Sequence, residues 1–301
     1  MNLDEAAVRD VLRMEDVIEA MEKALAAFSS GRAVQPLRTV IPVDEHGGFL
    51  FVMPAYTGTA LGAKLVTLYP GNVDLPTHNA TILLFDPQSG APLASLDGRL
   101  ITETRTAAVS AVATRQLARA DAGVLAILGA GVQAASHLEA LRLVRELREV
   151  RVWSPTRGAA FAREHGLTAA DSAEDAVRGA DIVVTVTTSR TPVLRGEWLA
   201  PGTHINAVGA PRPDWRELDD GVLNGATIYV DSRAAAETES GDVRAALAAG
   251  RSIAAEIGEV VAGSARGRSS HEEITLFKSL GMAVEDVATA ELVVRLRAIR
   301  G

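Results

Sequence analysis

The chain has 301 residues, 48% of them hydrophobic, a formal charge of −8 and no cysteine. Lack of cysteine excludes disulfides, thiolate metal ligands and a cysteine nucleophile. The acidic balance without a basic stripe argues against nucleic acid, and no apolar run is long enough to span a membrane.

The start, Met1-Asn2-Leu3-Asp4-Glu5, is acidic and leads into no apolar signal core, so a globular cytoplasmic protein with room for two domains is expected. Residues 3–29 read as helix, in one or two pieces, with Val8, Leu12, Val17, Met21, Leu25 and Phe28 at helical spacing and a stop at Ser29-Ser30-Gly31. From Arg38 to Asp97 the period becomes two, with β-type runs at 38–43, 49–55, 63–69, 80–86 and 92–97, separated by turn residues such as Asp86-Pro87-Gln88-Ser89-Gly90. Residues 99–119 are Ala-rich and helical.

A different grammar begins at Gly123. Strand 124–128 runs into a glycine turn, a helix follows to about Val144, and strands at 149–154, 182–187, 204–208 and 227–231 follow with a helix at 157–165 among them. This alternation predicts a doubly wound parallel sheet, so the fold class is α/β. The last helix, about 281–298, is expected to pack back onto the first domain. The expected division is 1–119, completed by 282–301, and 120–281.

The turn Gly129-Ala130-Gly131-Val132-Gln133-Ala134 stands directly after a buried strand and before a helix, the context a dinucleotide site of the Rossmann type requires. Gly129 allows the tight turn, Gly131 lets backbone approach a pyrophosphate, and Ala134 allows close helix–strand packing. A plain βα connection would also use glycine there. The end of the next strand distinguishes the cofactors: an acid would bind ribose hydroxyls and repel a 2′-phosphate, whereas this chain reads Ser154-Pro155-Thr156-Arg157. Two hydroxyls and a guanidinium suit a phosphate, so NADP(H) is the preferred cofactor, with NAD(H) the alternative. A capped helix start, with Thr156 capping and Arg157 solvated, would explain the same residues.

Of the 30 basic residues only Lys23, Lys64 and Lys278 are lysine. Lys23 sits on a solvated helix face; the other two have no such explanation. Lys64 lies among apolar neighbours, Arg38 opens the first β run, and Arg105 is followed by small residues. Such cations can gather on a carboxylate, and a lysine with a lowered pKa can pass on a proton. Spacing alone does not show that they converge. Asp181, Asp214, Asp219, Asp220 and Asp231 make no metal pattern with His204 or His271, so no metal is expected, and His137 reads as a packed helix residue.

Six stretches carry a resemblance to a known family: Phe51-Val52-Met53-Pro54-Ala55-Tyr56, Lys64-Leu65-Val66-Thr67, Glu103-Thr104-Arg105-Thr106-Ala107-Ala108, Leu128-Gly129-Ala130-Gly131-Val132-Gln133-Ala134, His204-Ile205-Asn206-Ala207-Val208-Gly209-Ala210 and Phe277-Lys278-Ser279-Leu280-Gly281-Met282-Ala283-Val284-Glu285-Asp286. On them the chain resembles the ornithine cyclodeaminase/μ-crystallin family over almost its whole length. Arg212-Pro213-Asp214-Trp215-Arg216-Glu217-Leu218-Asp219-Asp220 is most similar to the μ-crystallin-like, ketimine reductase branch. The resemblance implies a homodimer whose N-terminal domain supplies the substrate site and the dimer contact. It implies Arg38, Lys64 and Arg105 on a substrate carboxylate, with His78 a weaker proton donor beside Lys64 or a water. It places Thr77, Asn79, Thr106, Ala130, Val132, Gln133, Thr187, Val208 and Ser279 at the dinucleotide, with Gly129 and Gly131, and Ser154, Thr156 and Arg157 at the 2′-phosphate. Lys278 is left without a role.

Two departures bear on the reaction. The cyclodeaminase pattern has Glu where this chain has Phe51 and Asp where it has Pro211, and neither replacement can carry a proton. Ornithine cyclodeamination is therefore disfavoured. What remains is NADPH-dependent reduction of a cyclic α-imino acid such as Δ1-pyrroline-2-carboxylate or Δ1-piperideine-2-carboxylate. The alternatives are an alanine-type amino-acid dehydrogenase acting on a keto acid with ammonia, and a non-catalytic, crystallin-like NADPH binder.

Overall fold

The computed structural model describes residues 1–300, and among them the chain forms two compact units. Unit one is Met1–Arg105 with the chain from Gly281 onward; unit two is Thr106–Leu280. The division thus falls at 105/106, inside a long helix, rather than at the turn near 119 expected from the change in sequence grammar. That helix, α3 (Arg99–Leu117), is continuous, and its two ends pack in different units.

Unit one opens with β1 (Asn2–Leu3), α1 (Glu5–Val11) and α2 (Met14–Ser29). Asp4 caps α1 by accepting from the Ala7 N–H at 2.9 Å. Along α2 the buried side chains are Met14, Val17, Ile18, Met21, Ala24 and Leu25, a stripe at three-to-four spacing, while Lys23 is exposed. Next come β2 (Thr39–Val43), β3 (Gly48–Tyr56), β4 (Leu61–Leu68), β5 (His78–Phe85) and β6 (Pro92–Asp97). The sheet order is β1-β6-β5-β4-β3-β2, antiparallel except for the short β1–β6 pair. Register puts Met53, Lys64, Ile82 and Leu96 in one row, and residues directly opposite share a face. All four are buried. The C-terminal helix, numbered α11 below (Ala283–Arg300), packs against α2 and across β3, β4 and β5.

Unit two contains β7 (Val124–Leu128), α4 (Val132–Arg142), β8 (Glu149–Trp153), α5 (Gly158–His165), β9 (Thr168–Ala169) and α6 (Ala173–Val177). It continues through β10 (Ile182–Thr185), β11 (His204–Ala207), α7 (Asp220–Gly225), β12 (Thr227–Val230), α8 (Arg233–Glu239) and α9 (Gly241–Ala248). β13 (Ile253–Glu256), α10 (Ile257–Val261) and β14 (Thr275–Lys278) complete it. The strands form one parallel sheet in the order β13-β12-β14-β11-β10-β7-β8-β9. Central strands β10, β11 and β14 are buried at every position, as a sheet covered on both faces requires. The α/β class with a doubly wound sheet and an α+β first unit is as the sequence indicates.

Four strands escape the sequence pattern, among them the two-residue β1, whose Leu3 is expected to open a helix. β9 is two residues long, β13 is short and partly exposed, and β14 holds buried Thr275 and Lys278 among its four residues, so it does not read as an apolar run. The strand expected at 182–187 ends at Thr185 because the Thr187 N–H leaves the ladder for the Glu217 carboxylate, 2.8 Å away. No described helix is long and apolar enough to cross a membrane.

Candidate active site

In unit one the three cations come together. Lys64 points from β4 toward α11, where Asp286 stands in the first turn; Lys64 Nζ lies 2.6 Å from Asp286 Oδ2, with both side chains buried. Arg105 binds the same carboxylate through Nε at 2.9 Å and Glu285 through Nη1 at 2.8 Å. Arg38, half-buried before β2, donates to the Gly281 carbonyl at 3.0 Å. Glu285 in turn accepts from the Met282 N–H at 3.1 Å. Two acids in a first helical turn also complement the positive helix end.

Burial pushes the Lys64 ammonium down to about 8; Asp286 opposes the shift, and Arg105 and Arg38 reinforce it. Lys64 and Arg105 are thus each paired with a buried carboxylate, and Arg38 is near enough for its charge to act on Lys64. His78 is exposed at the start of β5; crowding by surrounding protein, and secondarily the Lys64 charge, hold its imidazole below the ordinary range. Thr77 and Asn79 beside it are exposed, with Thr77 Oγ1 3.2 Å from His78 Nδ1 and Asn79 donating to the Pro76 carbonyl. Phe51 lies on the Lys64 face of the sheet, opposite Val66 and 6.1 Å from the Phe49 ring, so that flank is aromatic rather than acidic. An open cleft of about 540 Å³ lies mainly on the other face, lined by Leu50, Leu65, Thr67 and Asn79 with His78.

In unit two the proposed dinucleotide residues collect along one edge, the C-terminal ends of the parallel strands. Gly129 to Gln133 follow β7, Ser154 to Arg157 follow β8, Thr187 follows β10, Val208 follows β11 and Ser279 follows β14. The sheet order reverses direction between β7 and β10, the position where open α/β sheets bind ligands. Thr106 is the exception, in that it lies buried on α3 rather than after a strand.

The glycine turn meets the demands of a dinucleotide. Gly129 has φ 124, and a Cβ there would lie 2.5 Å from the Val186 carbonyl oxygen. Gly131, the N-cap of α4, has nothing within 4 Å of a Cβ position, so no packing inside the protein calls for glycine there. Its open face and the uncapped helix start form a cradle for an anion. The Gln133 amide oxygen is buried without a hydrogen-bond partner, and Val132 is 57% exposed, as ligand-contacting residues would be. Ala134 is fully buried.

Thr156 does not cap α5: the N-cap is Arg157, with no side-chain cap bond. Thr156 and Arg157 are exposed, and Arg157 has no acidic partner among the described residues. The capping half of the capped-start explanation therefore fails, while Arg157 is solvated as that explanation expects.

The sequence missed Glu285 and Asp286 as partners of the cations, and gave Glu217 no role. Glu217 is fully buried and accepts from both Thr187 groups and from Thr185. Lys278 is fully buried at the end of β14 and donates to the Gly209 carbonyl. Its rarity in an arginine-rich chain was the available signal.

The family model for the ornithine cyclodeaminase/mu-crystallin family matches residues 1–298. The ketimine reductase mu-crystallin of Mus musculus is 52% identical over 95% of this chain and 94% of its own length. Among solved structures, the delta(1)-pyrroline-2-carboxylate reductase of Thermococcus litoralis, with NADH and L-proline, is 40% identical with a TM-score of 0.94, covering 100% of this chain and 98% of that one. An archaeal alanine dehydrogenase dimer with bound NAD is 36% identical with a TM-score of 0.93, covering 100% and 96%.

Proposed function

The chain belongs to the ornithine cyclodeaminase/mu-crystallin family, and from that premise we propose that it is a nicotinamide-dependent reductase of cyclic α-imino acids. Its substrates are ketimines such as Δ1-pyrroline-2-carboxylate or Δ1-piperideine-2-carboxylate, reduced to the L-amino acid, with NADPH the preferred cofactor. The observation that carries this is the gathering of Arg38, buried Lys64 and Arg105, at a site whose flank is Phe51 where a cyclodeaminase has a carboxylate.

Bound nicotinamide supplies the hydride. Arg38 and Arg105 hold the substrate carboxylate, and that fixed anchor is the positioning part of catalysis. Hydride joins C2 of the C=N bond and the nitrogen takes a proton, which leaves a secondary amine. Lys64, with a pKa near 8, is charged at neutral pH and can deliver that proton while Asp286 stabilises its charged form. Phe51 favours an uncharged ring over an ammonium-bearing side chain.

The absence of an acid after β8 and the unpaired Arg157 support NADPH; the relatives with NADH and NAD support the alternative. A homodimer through unit one is supported by β2, an edge strand exposed at four of its five positions, with exposed Val40 and Ile41. Initial rates for both cyclic imines and for pyruvate with ammonium, each with NADPH and NADH, test the proposal. Imine reduction faster than pyruvate amination supports it; the reverse order makes the protein an alanine-type dehydrogenase.

A further inference from the structure

Unit two contains a buried charge network that the mechanism leaves unused. The Glu217 carboxylate accepts from the Thr187 N–H at 2.8 Å, the Thr187 hydroxyl at 2.6 Å and the Thr185 hydroxyl at 2.7 Å. Burial pushes its pKa up, opposed first by Lys278 and then by these donors. Lys278 donates to the Gly209 carbonyl and lies 3.5 Å from the Asp242 carboxylate. Asp242, also buried, accepts from the Glu217 and Leu218 N–H groups at 3.2 and 3.1 Å. One network therefore ties together the C-terminal ends of β10, β11 and β14.

It touches Gly209, the neighbour of a strained residue. Ala210 has φ 53, the only left-handed non-glycine among the described residues, and it is fully buried. At its neighbour Gly209, a Cβ would run into the Glu217 carboxyl group. Buried ion pairs rarely stabilise a fold more than well-packed apolar residues would, so their use is sought in what they hold in place.

We propose that Lys278 and Glu217 are positioning residues for the dinucleotide. Lys278 clamps the Gly209 carbonyl and so keeps Ala210 in its strained conformation; Glu217 fixes Thr187. Together they set the backbone of Thr187 and of Val208 to Ala210 on the binding edge. This rests on the assignment of Thr187 and Val208 to the dinucleotide site.

The test is direct fluorescence titration of the full-length protein with NADPH, without substrate, alongside thermal melting. Lys278→Met is expected to raise Kd about tenfold or more, and the KM for NADPH with it, while the imine KM moves less than about twofold. Adding Ala210→Gly to Lys278→Met is expected to recover most of the lost affinity, because glycine holds a left-handed backbone without a clamp. A fall in melting temperature with Kd unchanged, or a loss that Ala210→Gly does not recover, overturns the proposal. Should Lys278→Met fail to fold, the near-isosteric Thr185→Val decides: a Kd raised about threefold supports the role of Glu217, and an unchanged Kd refutes it. Wild type that binds neither NADPH nor NADH would overturn the dinucleotide assignment together with this proposal; wild type that binds, with variants that bind equally well, overturns this proposal alone.

Discussion

Lys64 Nζ lies 2.6 Å from Asp286 Oδ2, both side chains buried, one on a central strand of unit one and the other on the C-terminal helix. The pair holds the charged lysine in a place where burial would otherwise neutralise it, and it does so at a pKa near 8. That value suits the two roles proposed for Lys64, a cation for a carboxylate and a proton donor.

Activity should therefore respond to pH through Lys64. Imine reduction is expected to fall as pH rises through about 8, because the proton donor is lost. Asp286→Asn removes the largest influence favouring the charged form, so this limb should move to lower pH. Lys64→Met should lower kcat/KM by at least about 100-fold with NADPH affinity retained. Rate profiles against pH for the three proteins check this; a limb unmoved in Asp286→Asn would remove Lys64 from the role.

The two glycines of the turn should separate fold from binding. Gly129→Ala places a Cβ against the Val186 carbonyl at φ 124 and should cost at least about 1–3 kcal/mol of stability. Gly131→Ala meets open space, so stability should change by less than about 0.5 kcal/mol while dinucleotide affinity falls about tenfold. Melting curves and fluorescence titrations of both variants distinguish the effects. Equal binding by Gly131→Ala and wild type would mean that the phosphates are held elsewhere.

Arg157 should select the cofactor. Loss of a charge-assisted contact worth about 1.5–3 kcal/mol predicts that Arg157→Ala raises the KM for NADPH by roughly 10–100-fold and leaves that for NADH within about threefold. Parallel changes for both cofactors would show that Arg157 does not read the 2′-phosphate.

Two histidines should make the fold acid-sensitive. His137 is pushed down to about 4 and His204 to about 3, in both cases chiefly by burial, against 6.5 in the unfolded chain. Between those values the unfolded chain binds more protons, so stability falls as pH drops below 6.5. Each histidine contributes a slope approaching 1.4 kcal/mol per pH unit, roughly, in that window. His137 Nδ1 is 2.7 Å from the Gln133 carbonyl and Nε2 is 2.9 Å from the Ser110 hydroxyl, so the neutral ring donates at Nδ1. Urea unfolding at about pH 7 and about pH 5 should show the loss, and His137→Gln should reduce it by roughly half. A midpoint independent of pH in this range would contradict the assignment.

Local pattern carried β2 to β8, β10 to β12, helices α1 to α5 and α11, and the glycine turn, because periodicity and turn chemistry are set by neighbouring residues. The scarcity of lysine singled out Lys64 and Lys278, and both are buried. What the pattern could not carry was partnership across the chain. Glu285 and Asp286 look like ordinary acids of a first helical turn until β4 and α3 bring Lys64 and Arg105 to them. Strand β14 was hidden for a related reason: Thr275 and Lys278 look wrong for a buried strand until their partners, His204 at 2.9 Å from Thr275 and the Gly209 carbonyl, are in place. Glu217 gave no signal, since its three donors lie about thirty residues away in sequence.

Following the hydride itself tests imine reduction most directly. NADPH carrying deuterium at the transferable nicotinamide position is incubated with the protein and Δ1-pyrroline-2-carboxylate, and the product is analysed by mass spectrometry and chiral chromatography. Imine reduction predicts L-proline with one deuterium at C2, formed by wild type and at least about 100-fold more slowly by Lys64→Met. No deuterium in proline, and none in the piperideine product, under conditions where pyruvate and ammonium yield deuterated alanine, would contradict it.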